Sequence, residues 1–293
     1  MAPGAPAKGK TVKKYLSIAL GVITLAATLV VADISSAAPK AASTTCKSGA
    51  LSTVKSGVIT VGTDDPAYGP WFDNNTPSNG KGFESAIAFA VAKQLGYPAS
   101  KVKWVKAPFN TVIQPGKKSF DFDINEVSIT AERKKAVDFS SGYYDVAQAL
   151  ITTKTSKIAG AKTIADLKGA KIGAEVGTTS YATITGVIKP TAGPAVFDNN
   201  DIAKQSLVNG QIDGLVVDLP TAFYIRDAEL KNGVIVGQFA PKAGGEQFGL
   251  VLSKGSPLTA CVTKAVDALR GNGSLKTITA KWLSGTVGAP VLK

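Results

Sequence analysis

Apolar positions along this chain fall into short β-branched runs that alternate with helical periodicities. Val58-Ile59-Thr60-Val61-Gly62 predicts a strand, because β-branched side chains suit a pleated surface. Phe83, Ala86, Ile87, Ala90, Val91 and Leu95 keep the i, i+3, i+4 spacing of a core-facing helix that Gly96 closes. A strand over 102–105 and a helix near 109–117 lead into FDFDINEVSITAERKKAVDFS, residues 120–140, where a strand ends at about Val127. The order β-α-β-α-β predicts a mostly parallel sheet covered by helices.

A second series opens near residue 147, with a strand over 146–153. Thr163 is a good N-cap for a short helix ending at Gly169, with Asp166 three residues on. A strand over 171–176 runs into Gly177-Thr178-Thr179-Ser180, which opens a helix. A strand at 195–197, a helix at 201–208 and a strand at 212–217 follow; the last stops at Asp218, and Leu219-Pro220 begins another helix. The chain ends with a strand over 248–252, a helix over 257–269 behind Ser256, and a helix over 274–283. The elements from about 147 to the helix at Leu219-Pro220 form a second α/β unit with its own core, and 293 residues are enough for two.

Composition narrows the chemistry. Histidine is absent, which removes Ser-His-Asp and Cys-His nucleophiles and any His-ligated zinc site. Two cysteines cannot hold a zinc ion or an iron–sulfur cluster alone, so no metal or cofactor is expected. Lys8, Lys10, Lys13 and Lys14 precede an uncharged run over 15–32 and then Ser35-Ser36-Ala37-Ala38. This is the pattern of a secretory signal over 1–37, cleaved after Ala37, with an uncleaved anchor as the alternative. A small-residue linker, 38–56, follows. Losing the signal's four lysines and one aspartate lowers the formal charge from +12 to +9. The remaining cations are scattered, without the aromatic-interleaved basic runs of a nucleic-acid binder. Cys46 follows Ser43-Thr44-Thr45, which is no lipobox, so the chain is expected to be exported without a lipid anchor. Export places Cys46 and Cys261 in an oxidising compartment, where a disulfide between them is expected. Two unpaired thiols, one flexible and one buried, are the alternative.

Candidate chemistry gathers at strand ends. Ser128 and Thr130 offer hydroxyls, and Arg133 lies within one helical turn with a planar fork suited to a carboxylate. The competing explanation is a cap at Ser128 or Thr130 and a surface pair between Arg133 and Glu132 or Asp138. Thr178 and Thr179 lie at a helix N-terminus, where free N–H groups receive anions or are simply capped. Asp218 either accepts an ammonium group or caps the next helix. Asp64, Asp65 and Glu126 are further strand-end acids, and Tyr68, Trp71 and Phe72 either wall a ligand or pack in the core. Taken together, one cationic fork, several hydroxyls and a set of acids complement a zwitterion.

Five segments, VITVGTDDPAYGPW, GFESAIAFAVAKQLG, FDFDINEVSITAERKKAVDFS, KTIADLKGAKIGAEVGTTSYA and IDGLVVDLPTAF, occur in the order and spacing of one family. Over residues 57–285 the chain resembles the extracellular solute-binding proteins, family 3, of polar amino-acid ABC importers. The resemblance implies a two-lobed, type II periplasmic-binding-protein-like α/β fold with mixed, mostly parallel sheets joined by crossover strands. Lobe 1 would comprise 57–146 and 246–293, and lobe 2 147–245. It implies that Arg133 grips the ligand α-carboxylate, that Ser128 and Thr179 add hydrogen bonds, and that Asp218 receives the α-ammonium. Tyr68 or Trp71 would cover the side chain, and the lobes would close over the ligand. The implied partners are a free polar amino acid and an ABC permease in the membrane. The implied state is a monomeric, non-catalytic receptor, periplasmic or at the cell surface. A dehydratase-like enzyme acting on a small carboxylate is the alternative. Two departures add charge: Glu126 stands where the family has a small residue, and Asp64 and Asp65 compete for one position. A basic side chain is favoured if those acids point inward, while a structural Glu126–Arg133 pair would serve equally.

Overall fold

The structure is a computed structural model, and it describes residues 45–241, 244–286 and 288–293. The proposed signal and the first part of the linker lie outside the described residues. In chain order the first series comprises β1 (Ile59–Thr63), α1 (Phe83–Gln94), β2 (Val102–Lys106), α2 (Phe109–Val112), β3 (Phe122–Asp123), α3 (Arg133–Ala136) and β4 (Val137–Val146). The second comprises β5 (Gln148–Thr153), β6 (Ile172–Glu175), α4 (Thr179–Thr183), β7 (Ala195–Phe197), α5 (Asn200–Val208), β8 (Gly214–Asp218), α6 (Leu219–Tyr224) and β9 (Gly233–Gln238). β10 (Glu246–Ser253), α7 (Thr259–Gly271) and α8 (Ser274–Leu283) complete the chain.

These strands make two five-stranded sheets, ordered β2-β1-β3-β10-β4 and β7-β6-β8-β5-β9. The parallel character expected from βαβ alternation holds for β2-β1-β3 and for β7-β6-β8. At the other edge of each sheet the neighbours run antiparallel. The chain passes from the first sheet to the second at Ala147, between β4 and β5, and returns between β9 and β10. Each sheet keeps its own apolar core. The first packs Trp71, Phe72, Phe83, Phe122 and Phe248 with α1, α7 and α8. The second packs Ile151, Leu215, Ala203 and Phe223 on one side of the sheet, and Leu150, Ile172 and Ile184 in a separate cluster. A Cys46–Cys261 disulfide ties the segment before β1 to α7.

Several elements depart from the sequence pattern for local reasons. The helix expected near 109–117 stops at Val112, ahead of Pro115 and Gly116, the latter at φ +118°. The strand expected to reach Val127 is only two residues long, because Glu126 at φ +53° turns the chain away, leaving Ser128 in an isolated bridge to Phe248. β4 and β9 carry no clear alternation and were not expected. The expected placement of all of 246–293 with the first sheet does not extend to the end of the chain. Val291 bridges Gln238 of β9, Leu292 is buried against the second sheet, and the Ile164 amide donates to Lys293 O. Among the described residues no helix is long and apolar enough to cross a membrane.

Candidate functional site

Between the two sheets lies a narrow cavity of about 30 Å³, bordered by the ends of β1, β6 and β8 and the loop from β3 to α3. Arg133, the first residue of α3, enters it from the first sheet. Its backbone N–H donates to Thr130 Oγ1 at 3.1 Å, so Thr130 caps the turn and does not reach the cavity. The guanidinium, on a residue only 8% exposed, donates through Nη1 to Ser128 O at 2.7 Å and through Nη2 to Gly177 O at 3.0 Å. It also lies over the Phe109 ring, 5.3 Å from its centroid. Arg133 takes part in no ion pair among the described residues: Glu132 pairs with Lys135 and Asp138 with Lys254. The surface-pair explanation therefore fails, and so does a structural Glu126–Arg133 bridge. Burial pulls the guanidinium pKa down to about 10, against the opposing pull of Glu246 and Asp218.

The second sheet supplies the facing wall. Asp218 ends β8 at the N-cap position of α6, but its side chain makes no capping bond. Its Oδ1 accepts from Gln148 Nε2 at 2.6 Å instead. Burial, then the charge of Glu246, holds the Asp218 carboxyl well above the usual carboxylate range. Thr178 does cap α4: its Oγ1 accepts from the Tyr181 amide at 3.1 Å, and its hydroxyl donates to Glu175 O. Thr179 Oγ1 stands 3.3 Å from Ser128 Oγ, joining the two sheets across the cleft. Ser128 Oγ in turn donates to Glu246 Oε1 at 2.6 Å.

Asp64, Glu126 and Glu175 line the same cavity as Arg133 and Asp218. The Asp64–Asp65 ambiguity resolves by exposure. Asp64 faces the cavity and accepts from the Phe109 amide at 3.2 Å, whereas Asp65 faces solvent and bonds Asn75 and Lys106. Tyr68 borders the cavity, but Trp71 is fully buried in the first core and donates from Nε1 to Thr221 Oγ1 at 2.9 Å. Glu126 holds its left-handed backbone, unusual for a residue with a side chain, by donating its N–H to Glu84 Oε1 at 2.8 Å. Glu84, fully buried, also accepts from the Tyr143 hydroxyl, and burial pushes its pKa up to about 7. Burial, followed by the charge of Asp64, raises Glu175 to about 8.

Glu175, Asn125, Gln148 and Glu246 join this region without having been singled out from the sequence. Glu175 fell inside the strand expected over 171–176, so its carboxyl gave no strand-end signal, whereas β6 ends on it. Gln148 and Glu246 open β5 and β10 directly after the two crossovers, and Gln148 Nε2 reaches Asp218, Thr179 and Glu246 together. Among the described residues no group of three or more acids or cysteines is placed to hold a metal ion.

The sequence profile of the bacterial extracellular solute-binding proteins, family 3, matches residues 59–285. The L-arginine-binding protein of Pseudomonas aeruginosa is 31% identical over 228 residues, covering 75% of this chain and 86% of that protein. The ABC transporter glutamine-binding protein of Bacillus subtilis is 31% identical over 281 residues, 92% of this chain and 97% of that protein. Among solved structures, an ancestral arginine-binding protein bound to arginine aligns with a TM-score of 0.65 at 32% identity, covering 78% of this chain and 98% of the other.

Proposed function

Since the chain belongs to the bacterial extracellular solute-binding proteins, family 3, we propose that its cleft captures a polar amino acid outside the cytoplasm for delivery to an ABC-type importer. The observation that carries this reading is Arg133, a buried guanidinium with no protein carboxylate paired to it, sharing one cavity with Asp218. A buried charge without a counter-ion is costly, and a bidentate ligand carboxylate supplies the missing partner. Asp218, free of capping duty, accepts the ligand ammonium, and Thr179 and Ser128 complete the polar contacts where the two sheets meet.

The side-chain end of the ligand meets Tyr68 and the carboxyls of Asp64, Glu126 and Glu175. That excess of acids favours a basic amino acid such as arginine, lysine or ornithine. The role is capture without turnover, by a monomer whose lobes close over the ligand, after export directed by residues 1–37. Thermal stabilisation against a panel of amino acids tests it, since a ligand that binds only the folded form raises the melting temperature. Basic amino acids are expected to give the largest shifts. A panel in which only sugars or peptides shift the transition would overturn the carboxylate–ammonium assignment. Conversion of an amino acid to product by the purified protein alone would overturn the non-catalytic role.

A further inference from the structure

We propose that Glu126 and Glu175 act as a proton-exchanging pair at the side-chain end of the cleft: both are neutral while it is empty, a cationic amino acid displaces protons from them, and a neutral polar amino acid leaves them protonated. The proposal rests on the reading of the cleft as an amino-acid site and adds how that site sets its selectivity.

The geometry begins with a charge imbalance. Four carboxyl groups, from Asp64, Glu126, Glu175 and Asp218, line one cavity with a single guanidinium. A bound zwitterion occupies Arg133 and Asp218, leaving three acids facing the side chain. Nearby cations do not compensate them. Lys204 is tied to Asp201 and Glu229, and Lys118 donates to Thr111 O and Gln114 O. The groups packed around Glu126 add to the imbalance. Glu84 on α1 accepts its amide and Tyr143 on β4 donates to Glu84, while Asp123 on β3, fully buried, faces Glu84 and Asp64 and has Lys118 as a partial counter-charge. Around Glu175 stand Asp64, the Tyr68 hydroxyl and the N-terminus of α5, whose Asn200 backbone bond favours the ionised form but is outweighed by burial. Ionising all of these acids together in a narrow cleft is untenable, and the available counter-charge is the proton. In agreement, burial and then the charges of Glu84, Asp218, Glu175 and Asp64 hold Glu126 well above the usual carboxylate range.

A neutral carboxyl both donates and accepts, whereas an ionised one only accepts. The pair therefore presents two faces from one backbone arrangement. Protonated, it donates to a carboxamide oxygen; ionised, it receives a guanidinium or ammonium. Asn125 borders the same cavity, nine-tenths buried, and its Nδ2 has no partner among the described residues, so it supplies a second donor for a neutral polar side chain. The left-handed backbone of Glu126, fixed by Glu84, fits a residue held to keep its carboxyl in the cavity wall.

Calorimetry of the full protein with L-arginine and with L-glutamine, in two buffers of different ionisation enthalpy near about pH 7, reads the exchange directly. Arginine keeps its side-chain charge throughout, and the two ligands share the same backbone groups, so their difference isolates the side-chain end. The expected result is about one proton or more released per arginine, with affinity rising about tenfold per pH unit below about pH 8 for each proton exchanged. Glutamine, which meets the same Arg133 and Asp218, should release fewer protons than arginine, its own count marking the shared backbone end at Asp218. Glu175→Gln and Glu126→Gln, checked for folding by their melting transitions, should each lower the proton count and flatten the pH dependence for arginine. Arginine releasing no more protons than glutamine overturns the proposal and leaves the amino-acid site standing. Proton release undiminished in both variants overturns the assignment to these residues. No heat or thermal shift with any amino acid overturns the site itself, and the exchange with it.

Discussion

Replacing Arg133 by alanine separates binding from folding, because binding depends on this side chain while its effects on folding nearly cancel. Two of the five guanidinium N–H groups are spent on Ser128 O and Gly177 O, which leaves three for a ligand. A bidentate carboxylate takes two of them, and hydrogen bonds to charged groups are worth about 1.5–3 kcal/mol each. Arg133→Ala should therefore cost about 3–6 kcal/mol of binding, or about 10²–10⁴-fold in Kd. The folded apo-protein loses the bonds to Ser128 O and Gly177 O, but it is relieved of a desolvated cation. The fall of the guanidinium from 12.5 to about 10 corresponds to about 3 kcal/mol of strain on the charged form. The two effects offset, so the ligand-free melting temperature should move by only a few degrees. Arg133→Lys keeps the charge without the fork and should fall between wild type and alanine. Titration calorimetry with the best ligand of the panel, beside a melting curve of each variant, measures both quantities. An alanine variant that binds within fivefold of wild type would refute the carboxylate role. One that simply fails to fold would show the guanidinium to be structural.

Other consequences are sharp enough to check. Asp65→Asn should leave affinity within about twofold, because that side chain is exposed and its pairing with Lys106 is a surface one, whereas Asp64→Asn should weaken basic ligands in a titration series. A Cβ on Gly69 would lie 2.3 Å from the Tyr224 ring on α6, so Gly69→Val should impede approach of the two sheets. An overpacking cost of about 1–3 kcal/mol predicts about 5- to 100-fold weaker binding with little loss of ligand-free stability. Replacing both cysteines by serine should cost about 2–4 kcal/mol in denaturant unfolding and leave affinity unchanged, as neither lines the cavity. Glu84 and Glu175 titrate near 7 and 8 when folded and near 4.5 when unfolded, so the stability they contribute is fully present below about pH 4.5 and lost as pH rises through 7–8. Ligand-free melting temperature should then fall over that window, and a saturating basic amino acid should flatten the slope.

Much of this arrangement was legible in the sequence because strand ends are. The apolar runs that locate β1, β6 and β8 also locate the residues just beyond them, and Arg133 sits one turn after an S-x-T element that needs no tertiary information to notice. The roles of those residues were less legible, since capping and ligand contact use the same residue types at the same positions. Thr130 and Thr178 turned out to spend their hydroxyls on amides of the following helical turn, while Asp218, equally suited to capping, does not cap. β4 and β9 lacked a period because each abuts a crossover and packs on unlike neighbours along its length. Glu246 was missed for a related reason: the strand it opens was expected to begin two residues later, so its carboxyl did not register as a strand-end acid.

The two ends of the cleft differ in how they are built, and that difference bears on selectivity. Arg133, Asp218 and Thr179 are held by hydrogen bonds to backbone carbonyls, to Gln148 and to Ser128, contacts that leave few alternatives for what they bind. Glu126 is held only through its backbone, by a buried carboxyl behind it, while its own carboxyl has no hydrogen-bonding partner among the described residues. A side chain positioned this way can change protonation without dismantling the wall around it. Substitution at Glu126 should therefore alter which side chain the cleft accepts while leaving its grip on the ligand backbone intact. The signature is a change in the ranking of amino acids rather than a uniform loss, and a uniform loss across the panel would place Glu126 with Arg133 instead.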